Sequence, residues 1–201
     1  MRLPIILSFV FFIFISCKTQ SSPDSSSQNQ TDNTSTNLTV KTWKNAGYTS
    51  FAGWGKDSPS SVIFNDKVWL TGGYYYISRS DVWTSTDMQT WTKITDTAPF
   101  GGRVRHTAVV FENKIWIIGG GGDNSIWVSS DGLSWSKATS TPAFGKRYSH
   151  TSLVFNNKIW VLGGVSDSGV MNDVWSSFDG ITWTKENNNL NTQSTGERVT
   201  Y

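Results

Sequence analysis

Residues 106–135, HTAVVFENKIWIIGGGGDNSIWVSSDGLSW, are written nearly three times in this 201-residue chain. The other copies are HTSLVFNNKIWVLGG at 150–164 with NDVWSSFDGITW at 172–183, and SSVIFNDKVWLTGG at 60–73 with SDVWTSTDMQTW at 80–91. Phe64, Phe111 and Phe155 align, as do Lys67, Lys114 and Lys158, and the pairs Gly72-Gly73, Gly119-Gly120 and Gly163-Gly164. Each copy carries three tryptophans in register: Trp69, Trp83 and Trp91; Trp116, Trp127 and Trp135; Trp160, Trp175 and Trp183. The repeat period runs from 44 to 48 residues. A unit of that size cannot bury its own apolar face, so the copies must stack on one another.

Each copy divides into four short runs rich in Val, Ile, Trp and Phe. In the middle copy they are His106–Phe111, Lys114–Gly120, Ser125–Ser130 and Leu133–Ala138. Runs of this length and composition predict strands. Glu112-Asn113, with Asn65-Asp66 and Asn156-Asn157 in the other copies, joins the first two strands. Asn and Asp tolerate the positive φ of a two-residue hairpin turn. Asp131-Gly132 and Asp179-Gly180 are expected to join the last two by the same device. The run Ile115-Trp116-Ile117-Ile118 does not alternate, which predicts a strand covered on both faces. The fold class is therefore all-β: a β-propeller of four-stranded antiparallel blades, at about 58–93, 104–138 and 148–186.

The Gly-Gly pair, the stretch Asn172–Trp175 and the second tryptophan, Trp183, resemble the kelch motif of galactose-oxidase-like propellers. The turns Ser129–Trp135 and Ser177–Trp183 resemble a shortened Asp-box of the sialidase-type propellers. The resemblance covers residues 41–201 and implies the fold, since propellers host many unrelated functions.

Residues 1–16 hold one charge, Arg2, and the apolar run Leu3–Ser16. That run is short for a bilayer span and has the length of a signal-peptide core. Ser16-Cys17 resembles the bacterial lipoprotein processing site, which implies lipidation of Cys17, attachment to the membrane and a place in the bacterial cell envelope, with the outer membrane expected. Cys17 is the one cysteine, so no intrachain disulfide staples the fold. Residues 18–40 are almost wholly polar and predict a disordered tether, which holds a folded head on the order of 25 Å from the lipid.

Trp43 keeps the repeat spacing to Phe64, so residues 41–46 read as the fourth strand of a preceding blade. Gly196–Tyr201 matches Gly145–His150, the approach to a blade. Three complete blades are fewer than closed propellers use. Further blades in a longer chain, or self-association, are the expected ways to cover the outer faces.

Antiparallel order puts the tight turns on one side of the blades and the longer, variable connections on the other. On that long-loop side the expected ligand-binding residues are Tyr74, Tyr75, Tyr76 and Arg79, then Asp123 and Asn124, then Phe144 and Tyr148, then Met171. The run Tyr74–Tyr76 has no counterpart in the other copies and is the strongest of these. Arg103, Arg147 and Arg198 recur in register and read as architectural. His106 and His150 share one repeat position without a third ligand, so no metal or other cofactor is expected. Seventeen basic residues against 15 acidic, with no Lys/Arg cluster, argue against a nucleic-acid partner. No catalytic residues are assigned. Two functions remain: a surface-anchored binding module for a protein or glycan, or a glycan-acting enzyme, oxidase- or sialidase-like, whose catalytic residues lie in further blades.

Overall fold

The computed structural model describes residues 56–187. The signal segment, Cys17, the tether, Trp43, Arg198 and Gly196–Tyr201 lie outside the described residues. Fourteen strands and no helix occur among the described residues. Blade 1 comprises β1 (Ser60–Phe64), β2 (Lys67–Thr71), β5 (Val82–Ser85) and β6 (Thr92–Thr95), with a small hairpin, β3 (Tyr74–Tyr75) and β4 (Ile77–Ser78), between β2 and β5. Blade 2 comprises β7 (Thr107–Phe111), β8 (Lys114–Ile118), β9 (Ile126–Ser129) and β10 (Ser136–Thr139). Blade 3 comprises β11 (Thr151–Phe155), β12 (Lys158–Ser166), β13 (Gly169–Ser177) and β14 (Thr184–Asn187). Each blade is a four-stranded antiparallel meander, as the repeat predicts. The first strand of blade 2, β7, neighbours the first strands of both other blades, β1 and β11, so the blades converge along these strands.

The first hairpin of every blade closes on a Phe–Lys pair: Phe64 opposite Lys67, Phe111 opposite Lys114 and Phe155 opposite Lys158. Both turn residues hold positive φ in each copy, including 48° at Glu112 and 54° at Asn113. That is the twist-matched two-residue turn. The second tight connection departs from expectation. It is a longer loop, Ser130–Trp135 in blade 2, and β10 begins at Ser136 rather than Leu133. Side chains close it instead of a hairpin turn. Ser129 Oγ accepts from Gly132 N at 2.7 Å, and Asp131 Oδ1 accepts from Leu133 N at 2.8 Å and Ser134 N at 2.7 Å. Ser177-Asp179 and Ser85-Asp87 repeat the arrangement. The backbone donors that fall inside the loop are thereby satisfied locally.

Two apolar clusters fill the spaces between blades. Phe64, Trp69 and Val82 of blade 1 meet Ile115, Ile117, Trp127 and Trp135 of blade 2. Phe111, Trp116, Ile118 and Ile126 of blade 2 meet Ile159, Val161 and Trp183 of blade 3. Strand β8 is thus covered on both sides, which is why its sequence does not alternate. Trp69 lies against Gly132, where an added Cβ would stand 2.3 Å from the indole ring, and Trp116 lies against Gly180 in the same way. Phe100 and Phe144, from the connections between blades, pack edge-on against Trp135 and Trp183 at 5.2 and 4.8 Å. Trp160, at the same repeat position in blade 3, is half-buried and meets no such glycine among the described residues.

The glycine pairs lock neighbouring blades together. Gly73 N donates to Arg103 O at 2.8 Å, and Gly120 N donates to Arg147 O at 2.9 Å. Any side chain at Gly72 or Gly119 would strike the same arginine's carbonyl at 2.8 Å and the following histidine ring at 2.9 Å. Positive φ, 58° at both, reinforces the choice of glycine.

Candidate functional site

The approach to each blade is held by a buried cation. Arg103 is fully buried: Nη1 donates to the carbonyls of Gly119, Asp123 and Ser125 at 2.8 to 2.9 Å, and Nη2 reaches Ser125 Oγ at 2.7 Å and Asp123 Oδ2 at 3.3 Å. Arg147 repeats the clamp on Gly163 O at 3.0 Å and on Asp173 Oδ1 at 2.8 Å and Oδ2 at 3.2 Å. Burial pulls the Arg103 pKa down to about 10, with Asp123 opposing that shift, so it remains charged at neutral pH. Burial alone would raise the Asp123 and Asp173 carboxyls. Hydrogen bonds from Ser125 and Arg103's charge outweigh it for Asp123, and Arg147 and Trp175 do so for Asp173; both end below the usual range.

Lys56 fills the same place in blade 1, donating to Asp81 Oδ1 at 2.6 Å and Gly72 O at 3.2 Å. Sequence reasoning missed it, because the copy carries Lys where the others carry Arg. In blade 2 the acid has also moved: Ser125 stands where blades 1 and 3 have Asp81 and Asp173, and Asp123 supplies the charge through it. In all three blades this group accepts the indole N–H of Trp83, Trp127 or Trp175 at 2.7 to 2.8 Å.

The histidines are architectural as well. His106 Nε2 shares a hydrogen bond with Thr71 Oγ1 at 3.0 Å, and His150 Nε2 with Thr107 Oγ1 at 2.9 Å. Burial, reinforced by Arg103 and Arg147, depresses their pKa values to about 3 and about 4, so both are neutral near pH 7. No group of three or more His, Cys, Asp or Glu suited to a metal occurs among the described residues.

The expected binding residues separate into two sets. Phe144 is 1% exposed and belongs to the core against Trp183, so it is corrected from loop contact to packing residue. Asp123 serves the Arg103 clamp, and Asn124 is half-buried beside it. Met171 is half-buried within β13, opposite Gly164, because Ser166–Asn172 continues the β12–β13 hairpin and is not the free loop expected. It lines a shallow cleft of about 250 Å³ with Val170 and Lys185.

The tyrosines stay at the long-loop side. Tyr75 and Tyr76 meet edge-on at 4.4 Å, and Tyr76, at φ 57° in the β3–β4 turn, is 79% exposed. Arg79 is exposed nearby, while its backbone links Gly73 O and Arg103 N. Tyr74 and Tyr148 converge on a cleft of about 350 Å³ completed by Asp57, Val104, Arg105 and Gly121. Backbone bridges order its rim: Asp57 with Tyr74, Val104 with Gly121 and Tyr148 with Val165. Every blade contributes to this cleft at the same repeat position. Sequence reasoning did not single out Arg105; the available signal was that Ser58 and Ser149 occupy its place in the other copies.

Blades of this form, clamped by recurring cations and topped by non-recurring aromatic loops, define a kelch-type β-propeller. A family model for the kelch motif matches residues 146–176. The model of the DUF6242 beta propeller domain matches residues 39–147, just over half of the chain, and the protein belongs to that family. No curated protein matches it.

Proposed function

We propose that this protein is a binding module of the bacterial cell envelope, anchored through lipidated Cys17 with the outer membrane as its location, that recognises a protein through the long-loop side of its blades. The kelch and propeller matches support an interaction module in general terms. One observation carries the choice of side. Where the copies repeat, their polar residues are spent on structure: the cations, the neutral histidines and the turn carboxylates all have internal partners. Where the copies differ, at Tyr74–Tyr76, Arg79, Arg105 and Tyr148, the side chains gather at the long-loop side and include exposed Tyr and Arg. Such residues supply contact area at low entropic cost and are common anchors of interfaces.

Cross-linking on intact cells, followed by the same capture with substituted full-length chains, tests this reading. Tyr76→Ala with Arg79→Ala is expected to abolish capture of the cross-linked protein. Leu133→Ala with Ile181→Ala, in the opposite turns, is expected to leave it intact. Equal capture by both double variants would refute the assignment of the side. Cys17→Ser is expected to release the chain from the membrane fraction, and unchanged partitioning would refute the lipid anchor.

A further inference from the structure

We propose that the cleft at the head of the first strands binds a carboxylate side chain flanked by apolar groups, presented by a peptide segment of a partner protein, with Arg105 as its counter-ion. This rests on the interaction-module reading and assigns it a specific site.

Arg105 departs from the repeat. Ser58, Arg105 and Ser149 occupy one position, all with φ between 50° and 56°. A left-handed conformation strains an ordinary L-residue. The architectural work there is done by backbone alone: Arg105 N donates to Ser58 O at 3.2 Å, and Ser149 N donates to Arg105 O at 2.9 Å. Serine performs it in two copies, so the guanidinium is not required by the fold. Unlike Arg103 and Arg147, Arg105 is exposed and makes no ion pair among the described residues.

The surroundings narrow the ligand. Tyr74, Tyr148 and Val104 present rings and methyl groups, and Gly121 leaves the floor open, since an added Cβ would stand 3.1 Å from Val104 Cγ1. Asp57, the other charge in the cleft, already accepts from Ser58 Oγ at 2.8 Å. A single guanidinium with Asp57 nearby gives too little positive charge for a phosphate dianion, whereas its planar fork pairs with one carboxylate. The rim's backbone groups are engaged between Asp57 and Tyr74, at Gly121, and between Tyr148 and Val165. A sugar ring, with a hydroxyl on most carbons, would leave several unpaired, whereas an acidic side chain between apolar neighbours would not. A volume of about 350 Å³ accommodates one or two residues.

The test uses the full-length chain and terminally blocked hexapeptide arrays with Glu at one central position, each matched by a Gln array. Wild type is expected to prefer Glu, and Arg105→Ser is expected to weaken the best peptide about ten- to hundred-fold and to erase the preference, as loss of a charged hydrogen bond would. Its thermal melt is expected to match wild type, because Ser already holds that conformation twice. Gly121→Val, which fills the floor with the residue blade 3 carries at Val165, is expected to weaken Glu and Gln peptides alike. Equal binding of both arrays, no binding to either, a preference that survives Arg105→Ser, or selective binding of oligogalacturonate in place of peptides would each overturn the proposal. If Tyr76→Ala with Arg79→Ala abolishes capture on cells while Arg105→Ser does not, the long-loop side stands and this site falls.

Discussion

Glu112 sits at φ 48° in a turn position that Asn65 and Asn156 occupy in the other blades. Asn visits the left-handed region with less strain than Glu, so Glu112→Asn is expected to raise stability by about 1 kcal/mol, read as a higher urea midpoint at unchanged slope. The two buried histidines make stability depend on pH. The unfolded chain binds protons at His106 and His150 near pH 6.5, whereas the folded chain resists until about pH 3 and about pH 4. Below 6.5 the unfolded state therefore holds more protons, and stability falls with falling pH by up to about 1.4 kcal/mol per unit for each histidine. The loss begins above the carboxylate range. Urea titrations between pH 7 and 4.5 are expected to show it, and replacing both histidines with Gln is expected to flatten that slope. Recurrence made the arginine clamps legible from sequence. Phe100 and Phe144 recur equally, and the same rule would have placed Phe144 in the core; grouping it by loop position alone obscured that. Lys56 escaped because chemistry, not identity, is what repeats there.

Within the blade, the tryptophan–glycine joint can be measured apart from backbone strain. Gly145 and Gly180 share φ 73°, but a Cβ at Gly145 meets nothing within 4 Å, while one at Gly180 would collide with the Trp116 ring. Gly145→Ala is expected to cost about 1–2 kcal/mol from conformation alone. Gly180→Ala is expected to cost several kcal/mol in all, as overpacking adds to the same backbone term. Trp116→Ala is expected to cost about 3–5 kcal/mol, and the double variant less than the sum of the two, because removing the ring removes the collision. Additive costs in a denaturation cycle would contradict the joint. Strand number, order and the first hairpin turn were all legible, since apolar runs and Asn/Asp pairs encode them locally. The second turn was misread because its closure depends on Ser129 and Asp131 side chains reaching across the loop, which Asp131-Gly132 viewed as a dipeptide does not reveal. The hairpin that carries Met171 was misread for a related reason: pairing extended strands that the glycine pair had seemed to end.

Across the array, what a residue is worth depends on whether another blade stands beside it. Phe111 and Phe155 are the same residue of the repeat, yet Phe111 is 3% exposed against blade 3 and Phe155 is 58% exposed. In urea denaturation of the 201-residue chain, Phe111→Ala is expected to cost about 3–5 kcal/mol, and Phe155→Ala under about 1 kcal/mol as long as no further blade or second copy covers blade 3. Comparable losses would mean that blade 3 has a neighbour in solution. Sequence could not separate these two phenylalanines, because the difference lies in what surrounds them. The joint between blades also bears on how such a chain can be rearranged. Trp69 of blade 1 meets Gly132 of blade 2, and Trp116 of blade 2 meets Gly180 of blade 3, so duplicating or deleting blade 2 re-creates a joint that already works. Blade 1 breaks that interchangeability: Met88 holds the place of Gly132 and Gly180, so a shuffled gene that set blade 1 after blade 3 would bring a thioether side chain where Trp160 needs bare backbone. Gene-level exchange among these units is therefore free in the interior and directional at blade 1.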